Sequence, residues 1–194
     1  MNSEFLFPII AYFFGAIPSG LILSELFGEG GLREKGSKNI GSTNVLRTQG
    51  KLLGALTLIC DFAKAFIPCY LLESNNEIIH LATIAAPTLG HMFPVWLKFK
   101  GGKGVATYLG TICAVNWVLL AATAAVWLIM FALTRISSVA GMTAVACSLV
   151  AYEFQRDYVD DKSTFFVLIA LVLLVVFKHK DNISRLWNKE EKKI

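Results

Sequence analysis

Two stretches of this chain carry side chains suited to holding an anion. The first is Gly36-Ser37-Lys38-Asn39-Ile40-Gly41-Ser42-Thr43-Asn44-Val45-Leu46-Arg47, and the second is Lys98-Phe99-Lys100-Gly101-Gly102-Lys103-Gly104-Val105-Ala106-Thr107. Neither contains a carboxylate. Glycines let backbone N–H groups converge on an oxyanion, Ser, Thr and Asn add neutral donors, and Lys or Arg supplies the countercharge. The cations have no local acid to neutralise them, because Asp and Glu are absent from Lys35 to Cys60 and again from Ile78 to Tyr152. Lys98 and Lys100 also fit the ordinary role of cations flanking a membrane span. Lys103 differs, since Gly101, Gly102 and Gly104 surround it and permit close backbone approach.

Other chemistries lack their residues. A nucleotide-binding P-loop needs Ser or Thr directly after its Gly-Lys pair, and Gly104 stands there instead. The histidines, His80, His91 and His179, show no close metal-ligand spacing, so no metal and no cofactor is expected. No Gly-x-Ser-x-Gly elbow occurs, and no histidine is followed five positions later by Asp, the pattern of the large coenzyme-A-dependent glycerolipid acyltransferases. Cys60, Cys69, Cys113 and Cys147 lie in apolar runs without a Cys-x-x-Cys pair and read as reduced packing residues.

The elements that must position these stretches are membrane helices. The chain is 55% hydrophobic and only 16% charged, against roughly 25% charged in soluble domains. Its mean hydropathy is +0.59. An N-terminal apolar run without a basic leader region continues past Pro18 to about residue 27 and reads as a retained first span. Further apolar runs cover about 52–72, 78–97, 105–115, 117–133, 139–152 and 165–177. The run between Lys103 and Arg135 is too long for one straight helix across a hydrocarbon core of about 30 Å, so two short central helices turning near Asn116 are expected.

Charge bias favours seven transmembrane helices in one domain, 1–194, with the N-terminus outside and the C-terminus cytoplasmic. In that arrangement fifteen cations fall inside: Arg33, Lys35, Lys38, Arg47, Lys51, Lys98, Lys100, Lys103, Arg135, Lys178, Lys180, Arg185, Lys189, Lys192 and Lys193. Arg156 and Lys162 fall outside beside Glu73, Glu77, Glu153, Asp157, Asp160 and Asp161. The net charge of +4 then reflects topology and attraction to anionic membrane lipids, with no nucleic-acid partner. Both glycine-rich stretches share the cytoplasmic face in this reading. Asp61 and Lys64, one helical turn apart within a span, are expected to pair in the bundle interior.

Taken in order, 36–47, Gly90-His91-Met92-Phe93-Pro94 running into 98–107, and His179-Lys180-Asp181-Asn182-Ile183-Ser184-Arg185-Leu186 resemble the bacterial membrane acyltransferase family called PlsY. The resemblance also takes in Asp61-Phe62-Ala63-Lys64 and the segment from Arg135 to Ala140, and so covers nearly the whole chain. It implies an all-α, seven-helix enzyme of the bacterial cytoplasmic (inner) membrane with its active site on the cytoplasmic face. The reaction it implies moves an acyl group from acyl phosphate to the 1-hydroxyl of sn-glycerol 3-phosphate, yielding lysophosphatidic acid and phosphate, the first acylation of phospholipid synthesis. Association with a peripheral enzyme that produces acyl phosphate is a further expectation.

By the same resemblance Arg47, Lys103, His179 and Asn182 grip glycerol 3-phosphate. Ser37, Asn39, Gly41, Thr43 and Asn44, with Gly101, Gly102, Gly104 and Ser138, form the substrate-binding loops, and Ser37, Thr43 and Ser138 lean toward acyl phosphate. Many family members carry a second serine where this chain has Gly141. Because acyl phosphate already has a good leaving group, positioning and charge stabilisation suffice without a covalent nucleophile. Either His179 or the substrate's own phosphate could accept the hydroxyl proton. The competing class is a small membrane transporter of a phosphorylated metabolite. Against it stand the lack of an inverted repeat and the gathering of polar groups at one face instead of mid-membrane.

Overall fold

The computed structural model describes residues 3–155 and 162–194, and among these all regular structure is helical. Arg156, Asp157, Asp160 and Asp161, four of the residues assigned above to the outside, lie outside the described residues. The chain forms two compact units, Met1–Ala114 and Val115–Ile194. In the first, a 3-10 turn at Ser3–Leu6 leads into α1 (Phe7–Ala16), α2 (Ser19–Phe27), α3 (Ser42–Gln49), α4 (Lys51–Leu71) and α5 (Glu77–Met92). A second 3-10 turn at Val95–Leu97 and α6 (Val105–Val115) follow. The second unit holds α7 (Trp117–Thr134), α8 (Ser137–Phe154), α9 (Lys162–Lys178) and α10 (Lys180–Trp187).

The helices coincide with the expected apolar runs, and their lengths are uneven. Among the described residues five segments are long and apolar enough to span: Ser3–Phe27, Lys51–Leu71, Glu77–Leu97, Trp117–Thr134 and Ser137–Phe154. The pair α9 and α10, bent by 53°, makes a sixth if taken as one. At about 1.5 Å per residue, the 11 residues of α6 rise roughly 16 Å, about half of a hydrocarbon core. The break at Asn116 is present, and its side chain accepts from the amides of Val118 (2.8 Å) and Leu119 (3.3 Å) to cap α7. The two central helices are not both short, because α7 has 18 residues.

A break the hydropathy pattern does not reveal lies between α1 and α2. α1 ends at Ala16, where Ile17, the residue before a proline, leaves the helical region (ψ 118°), and Pro18, which has no N–H, caps the start of α2. In lipid the carbonyls so released must find donors within the protein. Trp96 Nε1 donates to the Ala16 carbonyl at 2.7 Å and Lys64 Nζ to that of Ile17 at 2.6 Å. Lys64 also pairs with Asp61 Oδ1 at 2.7 Å, and both side chains are buried, as expected for an interior pair.

Helix packing in this unit depends on small residues. α1 lies against α4 and α5. At the crossing a Cβ on Gly15 would overlap the backbone of Pro87, and one on Gly90 would overlap the Tyr12 carbonyl. Pro87 cannot donate to the carbonyl four residues back, that of Thr83, and the Cys69 thiol points to that oxygen at 3.7 Å. Cys69 is accordingly a buried packing residue, whereas Cys60 is exposed; all four cysteines are free.

This close crossing makes a stability prediction. Gly90→Val should destabilise the protein by about 1–3 kcal/mol, the range typical of overpacking. Leu128→Ala, at an exposed position on α7, should change stability by only about 0.5 kcal/mol. Thermal unfolding in detergent distinguishes them, and a Gly90→Val protein that melts with the parent would contradict the packing described.

Candidate functional site

In the first unit the two glycine-rich stretches are brought together. Leu32, Ile40, Val45 and Leu53 form a buried apolar cluster, against which Leu97 packs from the 3-10 turn immediately before the second stretch. Arg33 Nη2 donates to the Lys100 carbonyl at 2.6 Å and joins the two loops directly. The first loop closes on Asn44, which is 1% exposed. Its Oδ1 accepts from the Ser37 amide at 2.8 Å, and its Nδ2 faces the carbonyls of Asn39 (2.9 Å), Leu32 and Lys35 (both 3.2 Å).

These bonds revise the expected roles. Asn44 is engaged by its own loop and so organises the site. Asn39 Oδ1 likewise accepts from the Gly41 amide at 2.8 Å. The backbone amides expected to converge on an anion are largely used internally. Besides those of Ser37 and Gly41, Lys38 N donates to Lys35 O (3.0 Å), Gly101 N to Met92 O (3.2 Å) and Gly102 N to His91 O (3.0 Å). With these amides engaged, the side chains carry more of the loops' donor capacity. Ser37, Thr43, Arg47 and Lys103 are half-buried, whereas Lys98 and Lys100 are exposed, in line with their role as flanking cations.

Left-handed backbone occurs in both loops and at two turns of the second unit. Lys38, Lys98, Phe99, Arg135 and Lys189 adopt left-handed φ between 52° and 60°, at a cost of about 1–2 kcal/mol each for a side-chain-bearing residue. Such conformations persist where surrounding contacts over-determine them. Next to Lys38, Gly36 shares the left-handed region, and a Cβ there would overlap Asn44 Oδ1.

In the second unit His179 stands at the bend between α9 and α10, with Asn182 three residues on. Both are 3% exposed. His179 Nδ1 lies 2.7 Å from the Val175 carbonyl, which can only accept, so Nδ1 carries the proton. In the neutral ring Nε2 is then the nitrogen able to take up a proton.

Glu191, absent from the expected set, anchors this region. Its Oε1 accepts from Ser138 Oγ at 2.9 Å and Asn182 Nδ2 at 2.6 Å, while Oε2 accepts from Arg185 Nε at 2.6 Å. The Ile194 amide donates to the Arg135 carbonyl at 2.9 Å, folding the tail onto the start of α8. Burial raises the Glu191 pKa, but the hydrogen bonds from Arg185, Asn182 and Ser138 and the Arg185 charge outweigh it and hold the carboxyl below its usual range. Ser138 and Asn182, both expected at substrate, thus have Glu191 as a partner. The sequence signal was the pair Glu190-Glu191 inside an otherwise cationic tail. Among the described residues no cluster of three His, Cys, Asp or Glu side chains could hold a metal.

Comparison with known proteins matches this pattern throughout its length. The model of the family described as glycerol-3-phosphate acyltransferase matches residues 5–189. The glycerol-3-phosphate acyltransferase of Erythrobacter litoralis is 45% identical over 190 residues, covering 96% of this chain and 92% of its own. That of Bartonella henselae is 42% identical over 192 residues, covering 96% and 89%. Two crystal structures of PlsY (YgiH), an integral membrane glycerol 3-phosphate acyltransferase, are similar over 100% of this chain and 96% of theirs. The glycerol 3-phosphate form has a TM-score of 0.91 at 36% identity, and the lysophosphatidic acid form 0.88 at 35%. With its apolar helices, its cationic glycine loops and this likeness over its full length, the chain belongs to the PlsY family of integral membrane glycerol-3-phosphate acyltransferases.

Proposed function

We propose that this protein transfers a fatty acyl group from acyl phosphate to the 1-hydroxyl of sn-glycerol 3-phosphate, releasing lysophosphatidic acid and inorganic phosphate. The observation that carries the reading is the pair of half-buried cations within one unit, Arg47 on α3 and Lys103 in the glycine loop before α6, in a chain of this family. Each provides charge-assisted hydrogen bonds to a phosphate. We assign Arg47, Lys103, His179 and Asn182 to glycerol 3-phosphate, and Ser37, Thr43 and Ser138 to acyl phosphate. Asn39, Gly41, Asn44, Gly101, Gly102 and Gly104 shape the loops that carry them.

In this reading the glycerol hydroxyl oxygen attacks the acyl carbonyl carbon. The bond from that carbon to the phosphate oxygen breaks, and phosphate leaves with the electron pair. The hydroxyl proton passes either to His179 Nε2 or to the phosphate of glycerol 3-phosphate. The whole chain acts as one functional unit with seven membrane helices, the short α6 among them, the N-terminus outside and the C-terminus and site residues facing the cytoplasm. Acyl phosphate would reach it from an enzyme bound at that membrane surface.

Orientation is tested by labelling. In a background lacking native cysteines, reporters replacing Ser42 and Asn188 should be blocked only by membrane-permeant reagent, and one replacing Glu73 by impermeant reagent from outside. Opposite labelling of Ser42 and Asn188 would defeat the shared cytoplasmic face.

For the cations, Lys103→Ala or Arg47→Ala should remove most turnover while insertion persists, since a hydrogen bond to a charged group is worth about 1.5–3 kcal/mol. Lys98→Ala should do far less. Near-normal turnover of Lys103→Ala would take that residue out of the site.

Donor choice is read with purified protein in lipid mesophase. Acyl phosphate should support formation of both lysophosphatidate and phosphate, acyl-coenzyme A little or none, and chelators should leave the rate unchanged. Robust thioester-dependent acylation would mean that the donor is wrongly assigned.

A further inference from the structure

The second cationic loop rests on a buried charged cluster in the same unit. Lys64 Nζ has three acceptors around it: the Ile17 carbonyl at 2.6 Å, Asp61 Oδ1 at 2.7 Å and His91 Nδ1 at 3.0 Å. A charged ammonium has no lone pair, so His91 Nδ1 faces it as an acceptor, while the Lys64–Asp61 contact is a charge–charge pair and not an aligned hydrogen bond. Lys64 is 6% exposed, Asp61 2% and His91 4%. The cluster ties the end of α1 and the middle of α4 to the last turn of α5.

His91 passes this constraint to the loop. Its carbonyl accepts from the Gly102 amide at 3.0 Å, and the neighbouring Met92 carbonyl accepts from Gly101 at 3.2 Å. The imidazole lies so close beneath Gly102 that a Cβ there would overlap Nε2 and Cε1. Lys103 is the next residue. A shift or rotation of the His91 ring therefore moves the backbone from which Lys103 extends.

We propose that Lys64, through His91, is a positioning residue for the Lys103 loop, and that the buried Asp61–Lys64–His91 cluster sets how tightly glycerol 3-phosphate is held. The inference rests on the assignment of Lys103 to that substrate. A stabilising ion pair alone would not require the third partner to be the residue on which the glycine loop lies. Removing one charge leaves its partner unpaired in the interior, which is strongly destabilising, so the single variants do not separate positioning from folding.

The test uses the double variant Asp61→Asn/Lys64→Met, which removes both charges together, and Gly102→Ala, which presses on the ring from the loop side. Detergent melting temperature, kinetics and backbone hydrogen exchange over residues 98–104 are measured on each. The expected result for the double variant is near-parental melting with a KM for glycerol 3-phosphate raised about tenfold or more and a nearly unchanged KM for acyl phosphate. Exchange at Gly101 and Gly102 should accelerate in parallel. Gly102→Ala should raise the same KM. Parental KM and parental loop exchange in a well-folded double variant would overturn the proposal, as would equal losses for both substrates tracking melting temperature. Should the parent protein fail to acylate glycerol 3-phosphate at all, the functional reading falls, while loop exchange still decides whether the cluster holds the loop.

Discussion

A membrane interior contains no water to satisfy a polar group, and the meeting point of α1, α4 and α5 is governed by that constraint. Pro18 breaks the first helix, and the freed carbonyls of Ala16 and Ile17 are taken by Trp96 and Lys64. The same ammonium needs a countercharge and a third acceptor, which Asp61 and His91 supply. An isolated charge at the bilayer centre costs about 2.5–3.5 kcal/mol on insertion scales, so such a lysine persists only where its partners are built in. The glycine loop then follows from where α5 ends.

Loop construction shows a division of labour that residue types alone conceal. Amides of a glycine-rich stretch are natural anion donors, yet here those of Ser37, Gly41, Gly101 and Gly102 hold the loops in shape. Asn44 satisfies its amide and carbonyl within one loop and is nearly inaccessible. Rigid loops whose backbone is already bonded lose little entropy when a ligand arrives, and they leave Arg47 and Lys103 to provide the charge. Left-handed backbone at Lys38 is tolerated because this bonding fixes it.

The second unit solves a comparable problem with a carboxylate. Ser138, Asn182 and Arg185 come from the start of α8 and from α10, and Glu191 gathers all three. His179 needs no such help, because its Nδ1 is directed by the Val175 carbonyl one turn earlier. The bend between α9 and α10 sets Asn182 near His179 along one helical face.

Hydropathy and charge by themselves determined a great deal. Apolar runs mark the helices because a lipid-facing segment must satisfy its backbone internally, and glycine clusters with cations mark the loops between them. Asn116 was legible as a break since the run around it exceeds one bilayer, and Asp61 with Lys64 as a pair since one turn separates them. Only the tertiary structure decided the rest. Trp96 reaches a carbonyl 80 residues away, Lys64 one 47 away, and Ser138 a carboxylate 53 away. Such partners leave no local periodic trace. An amide side chain is equally suited to substrate and to backbone, and the backbone partners and burial of Asn44 exist only once the chain has folded.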